Sequence, residues 1–340
     1  MAKVITFGEI MLRLSTPGYQ RFVQADSFDV TYGGGEANVA CSLANYGSEA
    51  ALVTKVPANP LGQAAINHLR RYGIDTSFIL QGGERLGIYF LENGASQRPS
   101  KVVYDRKYAS IAGVQPGEFN WAKIFAGADW FHFTGITPAL GENVAAVTLE
   151  AARMAKEMGL TVSCDLNYRK NLWTPDQARA TMTQLMAYVD IAIGNEEDAE
   201  KVFGIKATAS DVTKGEISEE GYRQVAQELL TRFNLQKVAI TLRESFSAFD
   251  NGWSALLYDG REFYRSRRYQ IHIVDRVGGG DAFAGGLIYA LTAGFASAEA
   301  LGFAVAASCL KHTIPGDFNH ITKDEVLNLM RGDASGRVQR

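Results

Sequence analysis

Cysteine is scarce: Cys41, Cys164 and Cys309 are the three in 340 residues, 123 and 145 positions apart. Such spacing gives no paired-cysteine zinc site or disulfide framework to read, and free thiols fit a reducing compartment. Charge of one sign is equally scarce, since 34 basic against 37 acidic residues leave a formal net charge of −3. A field that weak does not draw a protein to nucleic acid or to an anionic membrane, so neither is an expected partner. The longest uncharged run, residues 282–298, has 17 residues including Gly, Ser and Thr, short of the ~20 apolar residues that span a bilayer. Glu9 interrupts any signal-type apolar segment near the start, and a cytoplasmic protein is expected. Histidines 68, 132, 272, 312 and 320 show no metal-ligand spacing, and His132, within Trp130-Phe131-His132-Phe133, reads as a satisfied core residue. No serine elbow, no Gly-x-x-x-x-Gly-Lys-Ser/Thr loop and no internal repeat occur.

What the chain does have is an ordinary globular make-up, 46% hydrophobic and 21% charged, over a length that suits two domains or one large domain with an accessory piece. Short β-branched runs at 3–7, 50–56, 130–134, 160–164, 191–193 and 238–242 alternate with apolar spacings of three and four residues at 37–46, 61–72, 145–158, 175–188, 219–233 and 282–291. This rhythm predicts an α/β fold, a mostly parallel central sheet with helices on both faces. Residues 13–32 and 84–112 break the rhythm with strand-like patches such as Gly87-Ile88-Tyr89-Phe90-Leu91. They are expected to form a small β-sheet lid over a cleft, with an outer face open to a partner subunit. The expected division is therefore a main domain from 1–12, 33–83 and 113–331, a lid from 13–32 and 84–112, and a polar tail from 332–340. Segment 207–220 is expected at the surface or disordered.

The sharpest local pattern is Val274-Asp275-Arg276-Val277-Gly278-Gly279-Gly280-Asp281, which leads directly into an apolar helix. Three glycines opening a helix let main-chain N–H groups converge where the helix dipole is positive, a place for an oxyanion or a transferring phosphoryl group. Asp281, in the first turn, is then placed to take the proton of an attacking hydroxyl. The same residues equally fit a plain glycine turn with an ordinary first-turn acid, so the motif alone leaves both readings open. Gly33-Gly34-Gly35-Glu36 also precedes a helix, with Gly34 allowing close backbone approach and Asn38 offering a donor and an acceptor; tight helix packing is the plainer reading. Tyr104 and Arg106, two apart on a strand, share a face that Tyr89 can join, and a guanidinium between two phenols suits a carboxylate flanked by hydroxyls. A solvent-facing aromatic and basic strand is the commoner arrangement. Asp165-Leu166-Asn167-Tyr168-Arg169 follows the strand at 160–164, where doubly wound sheets hold their ligands, and directs Arg169 into the cleft.

Together these residues resemble the ribokinase-like carbohydrate kinase family across essentially the whole chain. The likeness is carried by Gly8-Glu9, Gly33-Gly34 with Asn38 and Ala40, Asp165-x-Asn167-x-Arg169, Asn195-Glu196-Glu197-Asp198 and the segment from Asp275 to Asp281. Within the family the chain is most similar to the branch that phosphorylates 2-dehydro-3-deoxygluconate at its terminal hydroxyl, through Gly33 to Ala40, Phe133-Thr134-Gly135-Ile136-Thr137-Pro138 and Asp165 to Trp173. The resemblance implies a ribokinase-like fold, ATP and Mg²⁺, a monovalent cation as an option, and a homodimer or higher oligomer joined through the lids. It implies Asp281 as base with Gly278, Gly279 and Gly280 as anion hole, and Gly34, Asn38, Tyr89, Tyr104, Arg106 and Arg169 around the sugar acid. Asn195, Thr241, Arg243, Gly278 and Gly280 would meet the nucleotide, and Asp198 would handle the metal indirectly. Arg13 stands where members taking neutral sugars carry an aspartate, which disfavours ribose and fructose. Arg276 and Gly279 replace the usual threonine and alanine, and 241–253 reads as a lengthened nucleotide loop. A kinase for another sugar or sugar acid, and a silent sugar or nucleotide sensor, are the alternatives.

Overall fold

A computed structural model of the chain describes residues 1–195, 197–207 and 219–332. Strand β1 (Lys3–Phe7) is buried from Val4 onward, and its side chains alternate between two cores: Val4 enters one, Ile5 and Phe7 the other. A strand covered on both faces has no polar side to show, which is why apolar Val4 and Ile5 stand on opposite faces of it. In the small sheet, β2 (Met11–Ser15) lies between β3 (Asp29–Gly33) and β6 (Gly87–Glu92), and β7 (Lys101–Asp105) borders β6. The large sheet runs from β5 (Ile79–Gln81) through β4 (Glu49–Val56), β1, β8 (Trp130–Thr134), β9 (Thr161–Asp165) and β10 (Ile191–Asn195) to β11 (Lys237–Ser245), all parallel. Beyond β11 the chain reverses into β12 (Asp250–Tyr258), which pairs antiparallel with β13 (Phe263–Arg265) and β14 (Tyr269–His272).

Helices α1 (Gly35–Asn45), α2 (Pro60–Arg71), α8 (Gly279–Thr292), α9 (Ser297–Lys311) and α10 (Lys323–Arg331) cover one face. The opposite face carries α3 (Trp121–Ile124), α4 (Glu142–Glu157), α5 (Pro175–Met186), α6 (Asp198–Phe203) and α7 (Glu219–Phe233). This is the α/β architecture expected from the alternation of short strands and helices, in the ribokinase-like form that the family resemblance implied.

Several details differ from the sequence reading. Helix α8 starts at Gly279 rather than 282, because the glycines themselves form its first turn. Segment 241–253 is a β-hairpin rather than a loop: Arg243 pairs with Trp253 and Ser245 with Asn251. Its polar residues hid the strand, and they have partners there, as Glu244 accepts from Arg268 at 2.5 Å. Helix α9 escaped notice because 303–307 is buried all round and shows no amphipathic period. His132 is buried, with Nδ1 2.8 Å from Ser163 Oγ, but among the described residues its Nε2 has no partner, so it is half satisfied. The expected tail and the segment at 207–220 lie mostly outside the described residues.

The small sheet presents two different faces. Met11, Tyr89 and Leu91 are buried together on the side that packs against Val277. On the other side a row of register partners, Val30, Leu14, Phe90 and Val103, crosses all four strands, and Val30 and Val103 are 59% and 53% exposed.

Candidate active site

The carboxyl ends of β9, β10 and β11 and the segment after β8 open into one cleft of about 1560 Å³, roofed by the inner face of the small sheet. At the β3 to α1 junction the chain passes so close to the end of β1 that a Cβ on Gly34 would lie 1.9 Å from the Glu9 carbonyl oxygen; only glycine fits. One residue into α1, Glu36 turns beneath the floor. Its Oε1 accepts from the Thr134 amide at 2.8 Å and the Thr137 hydroxyl at 2.6 Å, fixing the loop after β8, and burial raises its carboxyl to about 7. Asn38 links the two glycine motifs: its Oδ1 accepts from the Gly34 amide at 3.2 Å, and its Nδ2 donates to Asp281 Oδ2 at 2.6 Å.

Gly278 caps α8 with a φ of 83°, a backbone shape that side chains resist. Gly279 is turned inward, buried, with its amide donating to the Arg276 carbonyl at 3.3 Å, so the cleft is lined by Gly278 and Gly280 instead. A methyl on Gly279 would meet His312 Cε1 at 2.4 Å; the imidazole fills the space an alanine would need. Among the described residues the amides of Gly280 and Asp281 find no acceptor, which leaves a helix N-terminus with two donors for an anion. Asp281 stands beside them. Burial raises its carboxyl from 3.8 to about 6, against the lowering pull of Asn38 and Arg169. Asp165, at the end of β9, is raised further by burial and by the neighbouring Asp198 and Asp281. A carboxylate near 6 is ionised at neutral pH yet basic enough to accept a hydroxyl proton.

Gly34, Asn38, Tyr89, Tyr104, Arg106, Arg169 and Asp281 all line the same cleft. Their pairing differs from the expected grip of a guanidinium between two free phenols. Arg106 lies one residue past β7 and is ion-paired with the buried Glu9, while among the described residues its Nε has no partner; its guanidinium sits 5.2 Å from the Tyr104 ring centre. The Tyr89 hydroxyl donates to Asp317 Oδ2 at 2.5 Å. Arg169 is exposed at the cleft wall and makes no ion pair among the described residues. Arg13 is withdrawn from the cleft, bridging Asp275 at 2.5 Å and Asp317 at 2.7 Å.

On the other side of the glycines, Asn195, Thr241, Arg243 and Asp198 line the cleft with Asn251, Trp253, Arg276 and His312. Asp198 is buried, its oxygens accepting from the amides of Tyr168 at 3.0 Å and Asn195 at 2.9 Å. Arg276 donates to the Ala248 carbonyl at 3.1 Å, and burial together with the nearby Arg243 lowers its pKa. Arg243 and Arg276 thus bring two cations to this part of the cleft, which suits an anion of several charges. Sequence reasoning missed Asp317 and the Glu9 partnership of Arg106. Both involve contacts between residues roughly a hundred or more positions apart, and neither carries a local pattern.

A cleft with a bare helix N-terminus, an adjacent basic carboxylate and cations on either side defines a phosphotransferase site on a ribokinase-like fold. The chain belongs to the pfkB family of carbohydrate kinases, whose family model matches residues 1–322. It is 54% identical to the 2-dehydro-3-deoxygluconokinase of Thermotoga maritima, with a TM-score of 0.94 over 98% of this chain and 100% of that one. A 2-dehydro-3-deoxygalactonokinase of Haloferax volcanii is 34% identical over 98% of both chains. The 2-dehydro-3-deoxygluconokinase of Bacillus subtilis is 28% identical over 95% of this chain and 93% of its own.

Proposed function

We propose that the chain transfers the γ-phosphoryl group of ATP to the terminal hydroxyl of 2-dehydro-3-deoxygluconate, giving the 6-phosphate. The observation that carries this reading is the Asn38–Asp281 bond at the open end of α8, in one cleft with the exposed Arg169. Arg169 and Arg106 orient the carboxylate of the sugar acid, a group that neutral sugars lack. Tyr104 and Gly34 border the sugar. Asp281 removes the hydroxyl proton while the Gly280 and Asp281 amides receive the phosphoryl oxygens. Arg243 and Arg276 meet the polyphosphate, with Asn195 and Thr241 on the nucleotide side.

Among the described residues no group of three or more acidic, histidine or cysteine side chains forms a cage for a metal. That suits Mg²⁺, which rides on nucleotide phosphates and keeps much of its water, with Asp165 and Asp198 reaching it through that water. When bound it neutralises phosphate charge. Residues 13–32 and 84–112 act as the lid, and the apolar outer row of the small sheet is covered by the same row of a second copy, giving at least a dimer. The same reading includes a cytoplasmic location.

The test is ADP release across neutral sugars, aldonic acids and 2-keto-3-deoxy acids of both the gluco and galacto series. Preference for the gluco acid supports the proposal. Preference for the galacto acid favours the second reading, to which the Haloferax relative gives weight, and no release on any substrate would indicate a sensor. Exchange of sodium for potassium in that assay settles the monovalent cation.

A further inference from the structure

Lys311, the last residue of α9, is 0% exposed, an environment that charged side chains rarely occupy without a purpose. Among the described residues its ammonium makes one hydrogen bond, 3.4 Å to the Ile314 carbonyl oxygen, and no ion pair. Its stem runs beneath the open end of α8: a Cβ on Gly278 would approach Lys311 Cε to 3.2 Å. Gly278 is the cap behind which the Gly280 and Asp281 amides turn into the cleft.

The surrounding charges explain why a cation belongs there. Asp275, Asp317 and Asp281 favour the charged form of Lys311, while burial and Arg13 oppose it, and burial is the larger effect. Arg13 is already shared between Asp275 and Asp317. On the buried side, Lys311 aside, those three carboxylates outnumber the one buried cation, Arg13, while Arg276 and Arg169 reach Asp275 and Asp281 from the cleft. A potential of that sign repels the phosphoryl group that the amides are built to receive, and burial keeps water from screening it.

We propose that Lys311 is a fixed cation behind the anion-accepting end of α8. It is a positioning residue whose ammonium acts through the backbone at Gly278 and stabilises the negative charge gathered on the phosphoryl group during transfer. The inference rests on the phosphotransfer reading but not on the identity of the sugar. Because the nucleotide is held largely by Arg243, Arg276 and the far wall, removing the ammonium acts on kcat more than on the KM for ATP.

The test uses whichever substrate the wild-type enzyme turns over best, so that a wrong substrate assignment appears in the wild type and not in the comparison. Lys311→Met keeps the stem and removes the charge; kcat should fall about 100-fold, with the KM for ATP within about threefold. Lys311→Ala, purified and assayed with methylammonium, should regain at least about tenfold in kcat over the same ionic strength of tetramethylammonium, which is too large for the space. A folded Lys311→Met enzyme with kcat within about threefold of wild type overturns the proposal. Should the Met variant fail to fold, the Ala variant decides: recovery with methylammonium supports the fixed cation, and an Ala variant that methylammonium neither folds nor reactivates rules it out.

Discussion

Replacing Asp281 by Asn should make the enzyme slower and, at alkaline pH, more stable. The substitution keeps the side chain's size, and the amide oxygen can still accept from Asn38 Nδ2, now at 2.6 Å. What disappears is a negative charge whose pKa burial raises from 3.8 to about 6. A group raised in this way binds its proton more tightly folded than unfolded, so its contribution is complete below 3.8 and is lost as pH rises through about 6. Roughly two pK units at about 1.4 kcal/mol each give about 3 kcal/mol, and contact with cleft water cuts this to about 1–2 kcal/mol. Urea unfolding at pH 8 should therefore show the Asn variant more stable by about 1–2 kcal/mol, with the difference shrinking towards zero near pH 4. Turnover by ADP release should fall by roughly 10² to 10⁴ while the sugar still binds, and wild-type turnover should decline below pH of about 6. A variant within tenfold of wild-type turnover, or a stability difference that does not change with pH, would refute the assignment of Asp281 as the buried base.

Arg106→Ala strips Glu9 of its partner in a buried setting and should cost about 3–5 kcal/mol; adding Glu9→Gln should recover that stability in a thermal melt without recovering turnover of the sugar acid. Equal proportional losses on an acid and a neutral sugar would mean that Arg106 positions the lid rather than reading the carboxylate. Gly279→Ala drives a methyl into the His312 ring and should cost about 1–3 kcal/mol, relieved by His312→Ala; a single variant as stable as wild type would refute the clash. Val103→Glu, on the exposed outer row, should lower both the mass seen by light scattering and the turnover, and a fully active monomeric wild-type enzyme at micromolar concentration would contradict the dimer.

The parts legible in the sequence are those whose causes are local. A glycine run ahead of an apolar helix dictates an open helix end whatever lies around it, which is why Gly278, Gly280 and Asp281 could be grouped from spacing alone. Strands β1 and β8 were legible to the residue because both their faces are buried, so apolar and β-branched residues occupy both sides of each. The Arg106–Glu9 pair and the engagement of Tyr89 by Asp317 were not legible, because each joins residues 97 and 228 positions apart. The hairpin at 241–253 was misread for a related reason. Glu244 and Asp250 gain partners from the segment before β14 and from β14 itself, so their place in a strand looks like loop composition until that third strand is in position.

The bridge from Arg13 to Asp317 spans 304 positions, nearly the full chain. During synthesis at roughly 5–20 residues per second, β2 emerges early and then waits while almost everything else is made. The inner face of the roof meets Asp275 and Val277 only late in synthesis, and Arg13 and Tyr89 are not both fastened until Asp317 leaves the ribosome. The sugar-facing surface is thus completed last, although its strands are among the first to be translated, and a chain truncated before that point would carry a finished nucleotide wall beneath an unfastened roof.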